Sequence, residues 1–220
     1  MKLVLASGSQ RRRELLTMCG YDYEIIVSNA DETIDENDPE SFVRALSLRK
    51  AKEVFDRLFA AGRRDFAVIG SDTVVAFQKE GETKPVIIGK PKDAEDAVRI
   101  LSMLSGKTHR VFTGVSVIAD ISDENAAAQC SIREKAEIQT ECSITEVTFE
   151  TLSPDEITDY VNSGDPLDKA GSYGIQGPFG MFVREIRGNY FTVIGMPIPV
   201  LYKMLKKIGI LPHGFYERIE

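Results

Sequence analysis

A mixed α/β sheet is the architecture to expect, and three observations lead to it. Strand-like and helix-like segments alternate through the first hundred residues. Strand-like segments follow one another later. No repeat, low-complexity tract or Pro/Gly-rich linker divides the chain. The length, 220 residues, fits one domain with two lobes or two small domains.

The elements read in order as follows. Residues 3–6 are a short apolar run, a buried strand; 7–10 are a loop; 11–18 are a helix with Leu15, Leu16 and Met18 inward, stopped by Gly20. Residues 23–27 are a second strand and 31–38 an acidic loop. Pro39-Glu40-Ser41 opens a long helix reaching about Gly62, with Leu46, Ala51, Val54 or Phe55, and Leu58 inward at spacings of three and four. Residues 67–70 are a buried strand that resumes at 73–77 after a break at Ser71-Asp72, and Lys79-Glu80-Gly81-Glu82 is a hairpin tip. Asp93 caps a helix to Leu104, which Ser105-Gly106 ends.

Residues 111–119 are a strand, 120–137 a polar surface insertion, and 138–149 a long strand. Ser153-Pro154-Asp155-Glu156 combines a capping box with proline at the first helical position, so a helix runs from there to Gly164. Gly171, Gly174, Gly177 and Gly180 recur every three residues, a spacing that suits a tight loop with close backbone approach. Residues 182–186 and 190–194 flank Gly188-Asn189 and read as a strand pair around a hairpin turn; 199–208 are a last helix.

Composition narrows the function classes. Hydrophobic residues make up 43% and charged residues 28%, ordinary values for a globular protein. The net charge of −7 opposes broad nucleic-acid binding, while leaving room for a local basic cleft. Cys19, Cys130 and Cys142 are odd in number and form no CxxC pair, so neither a disulfide framework nor a zinc site is expected, and a cytoplasmic location is. No apolar run approaches the ~20 residues of a membrane span, and residues 2–6 are too short for a signal-peptide core.

Several segments could carry chemistry. Ser7-Gly8-Ser9-Gln10-Arg11-Arg12-Arg13 joins a strand to a helix start, where unpaired N–H groups and the positive dipole end favour an anion. Two hydroxyls, a glycine and guanidinium forks suit phosphate oxygens; the plainer alternative is a serine cap followed by solvated arginines. The GxxxxGK[ST] pattern is absent. Asp72 interrupts an apolar run, as a metal ligand or general base, or as a turn aspartate bonding its own backbone. Lys50 and Lys52 point to nearly opposite sides of their helix; Lys50 lies near the apolar face and Lys52 faces solvent. Glu32 and Lys90 suit a metal-bound polyphosphate, though acidic loops and lysine-proline turns are common. Gln176, among glycines, either reads a base edge or sits in a structural turn beside an Asp168–Lys169 pair. His109 reads as a strand-edge residue and His213 as tail surface.

Taken together, these segments resemble the Maf (septum-formation protein) family of nucleotide pyrophosphatases. The resemblance rests on Leu5-Ala6-Ser7-Gly8-Ser9-Gln10-Arg11-Arg12-Arg13-Glu14-Leu15-Leu16, Lys50-Ala51, Ser71-Asp72-Thr73-Val74-Val75 and Gly89-Lys90-Pro91. It continues through Ser105-Gly106-Lys107-Thr108-His109, Asp168-Lys169-Ala170-Gly171, Tyr173-Gly174-Ile175-Gln176-Gly177 and Gly195-Met196-Pro197, in order along almost the whole chain. It implies a single domain over 1–220 with two lobes around a central cleft, in a fold like that of inosine triphosphatases, and a homodimer.

The resemblance also implies hydrolysis of a nucleoside triphosphate to the monophosphate and pyrophosphate with a divalent cation, Mg²⁺ or Mn²⁺. Asp72 matches the catalytic acidic position and Glu32 a polar residue lining the cleft, and these two carboxylates are the expected metal ligands. Arg11, Thr73 and Gln176 match positions linked to substrate choice, in the manner of the branch acting on dTTP and UTP, with modified pyrimidine nucleotides as further substrates in a house-cleaning role. Lys50 and Lys90 match polar cleft residues, while Ser7, Ser9 and Arg12 complete the phosphate-binding set. The family carries proline where this chain has Gln10. The alternatives are a non-catalytic nucleotide-sensing regulator of cell division, an inosine-type pyrophosphatase and, least compatible with the acidic balance, a nucleic-acid-binding regulator.

Overall fold

The computed structural model describes residues 1–79, 81–121 and 136–214. Its frame is an open, mixed seven-stranded sheet with helices on both faces, the α/β class that the alternating pattern predicts. In chain order the elements are β1 (Lys2–Leu5), α1 (Gln10–Met18), β2 (Tyr23–Ile25), α2 (Pro39–Ala60), β3 (Phe66–Phe77), β4 (Val86–Ile88), α3 (Ala94–Leu104), β5 (Thr108–Asp120), β6 (Ala136–Phe149), α4 (Pro154–Asn162), β7 (Val183–Arg187), α5 (Tyr190–Ile194) and α6 (Ile198–Lys207). Short 3₁₀ turns occupy Asp165–Asp168, Ala170–Ser172 and Pro178–Phe182 within the glycine-rich stretch. Of the polar segment 120–137, Asp120 ends β5 and residues 136 and 137 begin β6, while 122–135 are outside the described residues.

The strand order is β2-β1-β3-β5-β6-β7, with β4 also on β3. β1 pairs in parallel with β2 and β3, and the remaining pairs are antiparallel. β3 organises the molecule. One edge pairs with β5 continuously, from Ala67↔Ala119 to Ala76↔Arg110. The other edge pairs first with β1, ending at Leu5↔Ile69, and then with β4, starting at Val75↔Ile88. Among the described residues, 70–74 therefore have no strand partner on that edge, and their backbone and side chains border a cleft.

Alternation assigns the two faces of β3. Phe66 and Val68 pack on Ala51, Val54 and Phe55 of α2, and Val74 and Ala76 pack on Val43. Ala67 and Ile69 face α1 and α6, while Val75 and Phe77 face α3 and α4. The long helix α2 starts as the sequence predicts, with Pro39 in its first turn and the Asp38 carboxylate accepting from Ser41 N at 2.9 Å. It crosses the sheet where side chains are missing. A Cβ on Gly70 would lie 2.2 Å from Ser47 O, and one on Gly114 would lie 2.1 Å from Val43 O. Only glycine permits this backbone contact.

Four local expectations need correction. Ser71-Asp72 does not break a strand: β3 runs through both residues, because β5 supplies partners for each. Residues 190–194 form α5, not a strand; the Asn189 side chain caps it and Gly195, at φ 112°, ends it. Capping chemistry at both ends overrides the strand propensity of Tyr-Phe-Thr-Val-Ile. Met18 points outward, 63% exposed, because the short α1 buries only Leu15 and Leu16. His109 is buried at 2% exposure, at the core end of β5 rather than its edge. No helix of the described residues is long and apolar enough to cross a membrane.

Candidate active site

The unpaired stretch of β3 presents Asp72 on the α2 face and Ser71 and Thr73 on the opposite face. A separate cationic side chain meets each face.

On the α2 face, Lys50 Nζ donates to Asp72 Oδ1 at 2.8 Å and pairs with Glu32 Oε1 at 2.9 Å. The Lys50 and Asp72 side chains are 12% and 13% exposed, so this pair is largely removed from solvent, whereas Glu32 is 66% exposed. The close crossing at Gly70 and Gly114 sets the height of Lys50 above Asp72; Gly114 is also the register partner of Asp72. Lys52 points away and pairs with Asp56. The neighbouring Arg49 holds the acidic loop carrying Glu32, donating to Asp31 O at 3.0 Å and Thr33 O at 2.7 Å. Asp72 Oδ2 accepts no hydrogen bond among the described residues, which leaves it available for a cation or a water.

On the other face lies the loop between β1 and α1. Ser9 occupies the N-cap position without a side-chain cap, and its N–H donates to Ser7 Oγ at 3.2 Å. Gln10 begins α1 and bonds Glu14 at 2.8 Å, a role that proline could not fill. Arg12 turns back over the loop. Its Nε donates to Gly195 O at 2.9 Å, one terminal nitrogen to Ser7 Oγ at 3.2 Å, and the other to Thr73 Oγ1 at 3.4 Å. Burial lowers the pKa of this guanidinium from its ordinary value, and the Asp72 carboxylate opposes that shift. A guanidinium keeps its proton even so. Three acceptors fix Arg12, and its remaining N–H donors are available to an anion.

Arg11 is engaged elsewhere. It pairs with Asp168 at 3.2 Å, and Asp168 also accepts from Lys169 at 2.7 Å. Lys169 in turn bonds Asp165 Oδ1 at 3.0 Å, and Tyr160 OH donates to Asp165 Oδ2 at 2.5 Å. This chain ties the glycine-rich segment to the start of α1. Within that segment, a Cβ on Gly171 (φ 72°) would strike Val75 Cγ2 at 2.6 Å, so the turn lies directly against β3. Gly171 N donates to Gly89 O at 3.0 Å, which brings Lys90 to the same end of the cleft.

Of the ten residues singled out in the sequence, Glu32, Lys50 and Asp72 thus form one cluster, and Ser7, Ser9, Arg12 and Thr73 form a second across the strand edge. Arg11 borders the second cluster through Asp168. Lys90 and Gln176 are exposed on adjoining turns and bond neither cluster. Four contributors escaped sequence reasoning: the hydroxyls of Ser71 and Thr113, and the carbonyls of Thr192 and Gly195. Reading Asn189 and Gly195 as helix caps would have found the two carbonyls.

A sheet opened at one strand edge, with a cationic side chain on each face, is an arrangement suited to an anion in an α/β protein. The profile of the Maf-like protein family matches residues 2–208, so the chain belongs to that family. It is 41% identical over 217 residues to the dTTP/UTP pyrophosphatase of Agathobacter rectalis, covering 95% of this chain and 98% of the relative. It is 43% identical over 210 residues to the dTTP/UTP pyrophosphatase of Bacillus thuringiensis subsp. konkukian, covering 95% and 96%. The solved structure of the Staphylococcus aureus Ham1 protein superimposes with a TM-score of 0.50 at 16% identity, covering 94% of this chain and all of that one, a likeness of fold.

Proposed function

We propose that this chain is a nucleoside triphosphate pyrophosphatase that cleaves dTTP and UTP to the monophosphate and pyrophosphate. One observation carries the reading: Lys50–Asp72–Glu32 and Arg12–Ser7–Thr73 converge on the single stretch of β3 left unpaired on one edge. The activity for which the two relatives are named supports it, at 41% and 43% identity over nearly the full chain.

In this reading the triphosphate lies along the strand edge. Arg12, with the first N–H groups of α1, binds its oxygens and offsets the charge that develops on the leaving pyrophosphate. Ser7 positions Arg12 and Ser9 shapes the loop. Asp72 orients the attacking water at the α-phosphorus and takes its proton. Lys50 fixes the Asp72 carboxylate and offsets charge on the same side. Lys90 and Gln176 stand on the turns at the mouth, where the outer phosphates and the base would enter, and Arg11 exchanges Asp168 for substrate.

The residues fit a divalent cation brought in with the substrate. Two carboxylates, Asp72 and Glu32, both pair with the Lys50 ammonium and so stand close to one another, and no third His, Cys, Asp or Glu joins them in a metal-holding group among the described residues. Mg²⁺ and Mn²⁺ characteristically use one or two carboxylates together with substrate phosphates. Such an ion supplies charge neutralisation across the phosphates. Assembly as a homodimer and action on modified pyrimidine nucleotides belong to the same proposal.

Phosphorus NMR of a dTTP reaction with Mg²⁺ tests the reaction. Resonances of dTMP and pyrophosphate support it; dTDP with inorganic phosphate, or no turnover of dTTP, UTP or any triphosphate in a panel including CTP and ITP, contradicts it.

A further inference from the structure

Behind Arg12 stand two linked hydroxyls, the half-buried Thr73 and the fully buried Thr113, whose protons have only one consistent order. Thr113 Oγ1 lies 2.7 Å from the backbone carbonyl of Thr192. A carbonyl only accepts, so the single proton of Thr113 is committed to it. Thr73 Oγ1 lies 3.0 Å from Thr113 Oγ1. Since Thr113 has no second proton, Thr73 donates in that contact. The proton of Thr73 therefore points inward, and lone pairs alone face the cleft. One of them accepts from Arg12 at 3.4 Å. The chain reads Arg12 → Thr73 → Thr113 → Thr192 carbonyl. Thr113 and Thr192 are fully buried, so water cannot substitute within it.

The same short helix anchors Arg12 twice. The carbonyl of Gly195, at the C-terminal end of α5, accepts Arg12 Nε, and the carbonyl of Thr192, in its last turn, terminates the hydroxyl chain. A Cβ on Gly195 would lie 3.2 Å from Thr73 Oγ1 and 3.7 Å from Arg12 Nε, so this end of α5 sits tight against both side chains.

We propose that Thr113 is a positioning residue for triphosphate binding: it holds Thr73 as a pure acceptor, and Thr73 in turn aims the free N–H donors of Arg12 at the anion. This rests on the reading above that the cleft binds a triphosphate. A hydroxyl free to rotate at Thr73 would present its proton to Arg12 in some fraction of molecules and repel it. Because the effect acts on the phosphates, it is the same for every base.

The test compares wild-type protein with Thr113→Val and Thr113→Ser, using inorganic tripolyphosphate as the probe in titration calorimetry and dTTP and UTP in turnover assays. Thr113→Val keeps the β-branched shape and removes the hydroxyl, and Thr113→Ser keeps the hydroxyl. The expected result is a loss of about tenfold in tripolyphosphate affinity for Thr113→Val, the order of one hydrogen bond to a charged group. KM for dTTP and UTP rises by the same factor with a smaller change in kcat, and Thr113→Ser restores both. Should Thr113→Val misfold in a thermal melt, Thr73→Val serves as the second variant with the same expected loss. Equal affinity in wild type and a folded Thr113→Val, or a Thr113→Ser as weak as Thr113→Val, overturns the inference and leaves the pyrophosphatase reading standing. If the wild-type protein neither binds tripolyphosphate nor hydrolyses a triphosphate, both fall together.

Discussion

Lys50 Nζ sits 2.8 Å from Asp72 Oδ1 and 2.9 Å from Glu32 Oε1, so one ammonium from the long helix joins a carboxylate of the central strand to one of an irregular loop. Removing it would leave Asp72, 9% exposed, as a nearly buried carboxylate without its ion-pair partner. Lys50→Met is expected to lower stability by about 1–3 kcal/mol, the range for stranding a buried polar group. Urea denaturation measures this. Lys52→Met, which loses only an exposed pair with Asp56, is expected to change little.

The height of α2 over the sheet gives a second prediction. Gly114→Ala forces a methyl to 2.1 Å from Val43 O and must push α2 away, so it is expected to cost about 1–3 kcal/mol or more and to reduce turnover by pulling Lys50 from Asp72. Gly62→Ala is the control. Its φ is 82° with nothing within 4 Å, so it strains only its own backbone. Thermal melts paired with dTTP turnover separate the two: the first variant loses both properties, the second only some stability.

Burial gives the protein an acid-sensitive element in its core. His109 is packed edge-on against Phe149 and Tyr173, and its Nε2 lies 3.0 Å from Tyr173 OH. Desolvation pulls its pKa from 6.5 down to about 3. Between those values the unfolded chain binds a proton that the folded chain does not. The contribution is thus complete above about pH 6.5 and is lost as pH falls toward about 3. Urea midpoints measured from pH 7 to pH 4 are expected to fall more steeply for wild type than for His109→Phe, and equal slopes would refute the assignment.

The two carboxylates proposed to hold a cation give a further prediction. Chelation with EDTA is expected to abolish dTTP turnover, and excess Mg²⁺ or Mn²⁺ to restore it. Glu32→Gln keeps the shape and removes a charge, so it is expected to raise the half-saturating metal concentration by about tenfold, a size consistent with loss of one charge-assisted contact. Metal titrations of the two proteins would show otherwise if their curves overlay.

Much of this arrangement was legible in the sequence because it is encoded locally. The run at residues 3–6 followed by Ser7 to Arg12 marks a strand leading into a helix start, and the Ser153–Glu156 capping box forms as its spacing requires. Lys50 and Lys52 were separable because helical periodicity alone sends them to different sides. What escaped depends on distant partners. Asp72 read as a break because its continuity comes from β5, about forty residues later. Residues 190–194 read as a strand because five β-prone side chains outweighed two capping residues. His109 looked like an edge position because nothing near it in sequence announces Tyr173 and Phe149. The role of Thr113 exists only once three segments meet.

In the proposed mechanism, reaction occurs at the open edge of β3 with Asp72 as the base. Single-turnover dTTP hydrolysis by Asp72→Asn, alongside calorimetric binding of tripolyphosphate, tests it most directly. The expected result is a fall in rate of at least about a hundredfold, as for loss of a general base, with tripolyphosphate still bound through Arg12 and the start of α1. Near-normal turnover by the folded variant would contradict it.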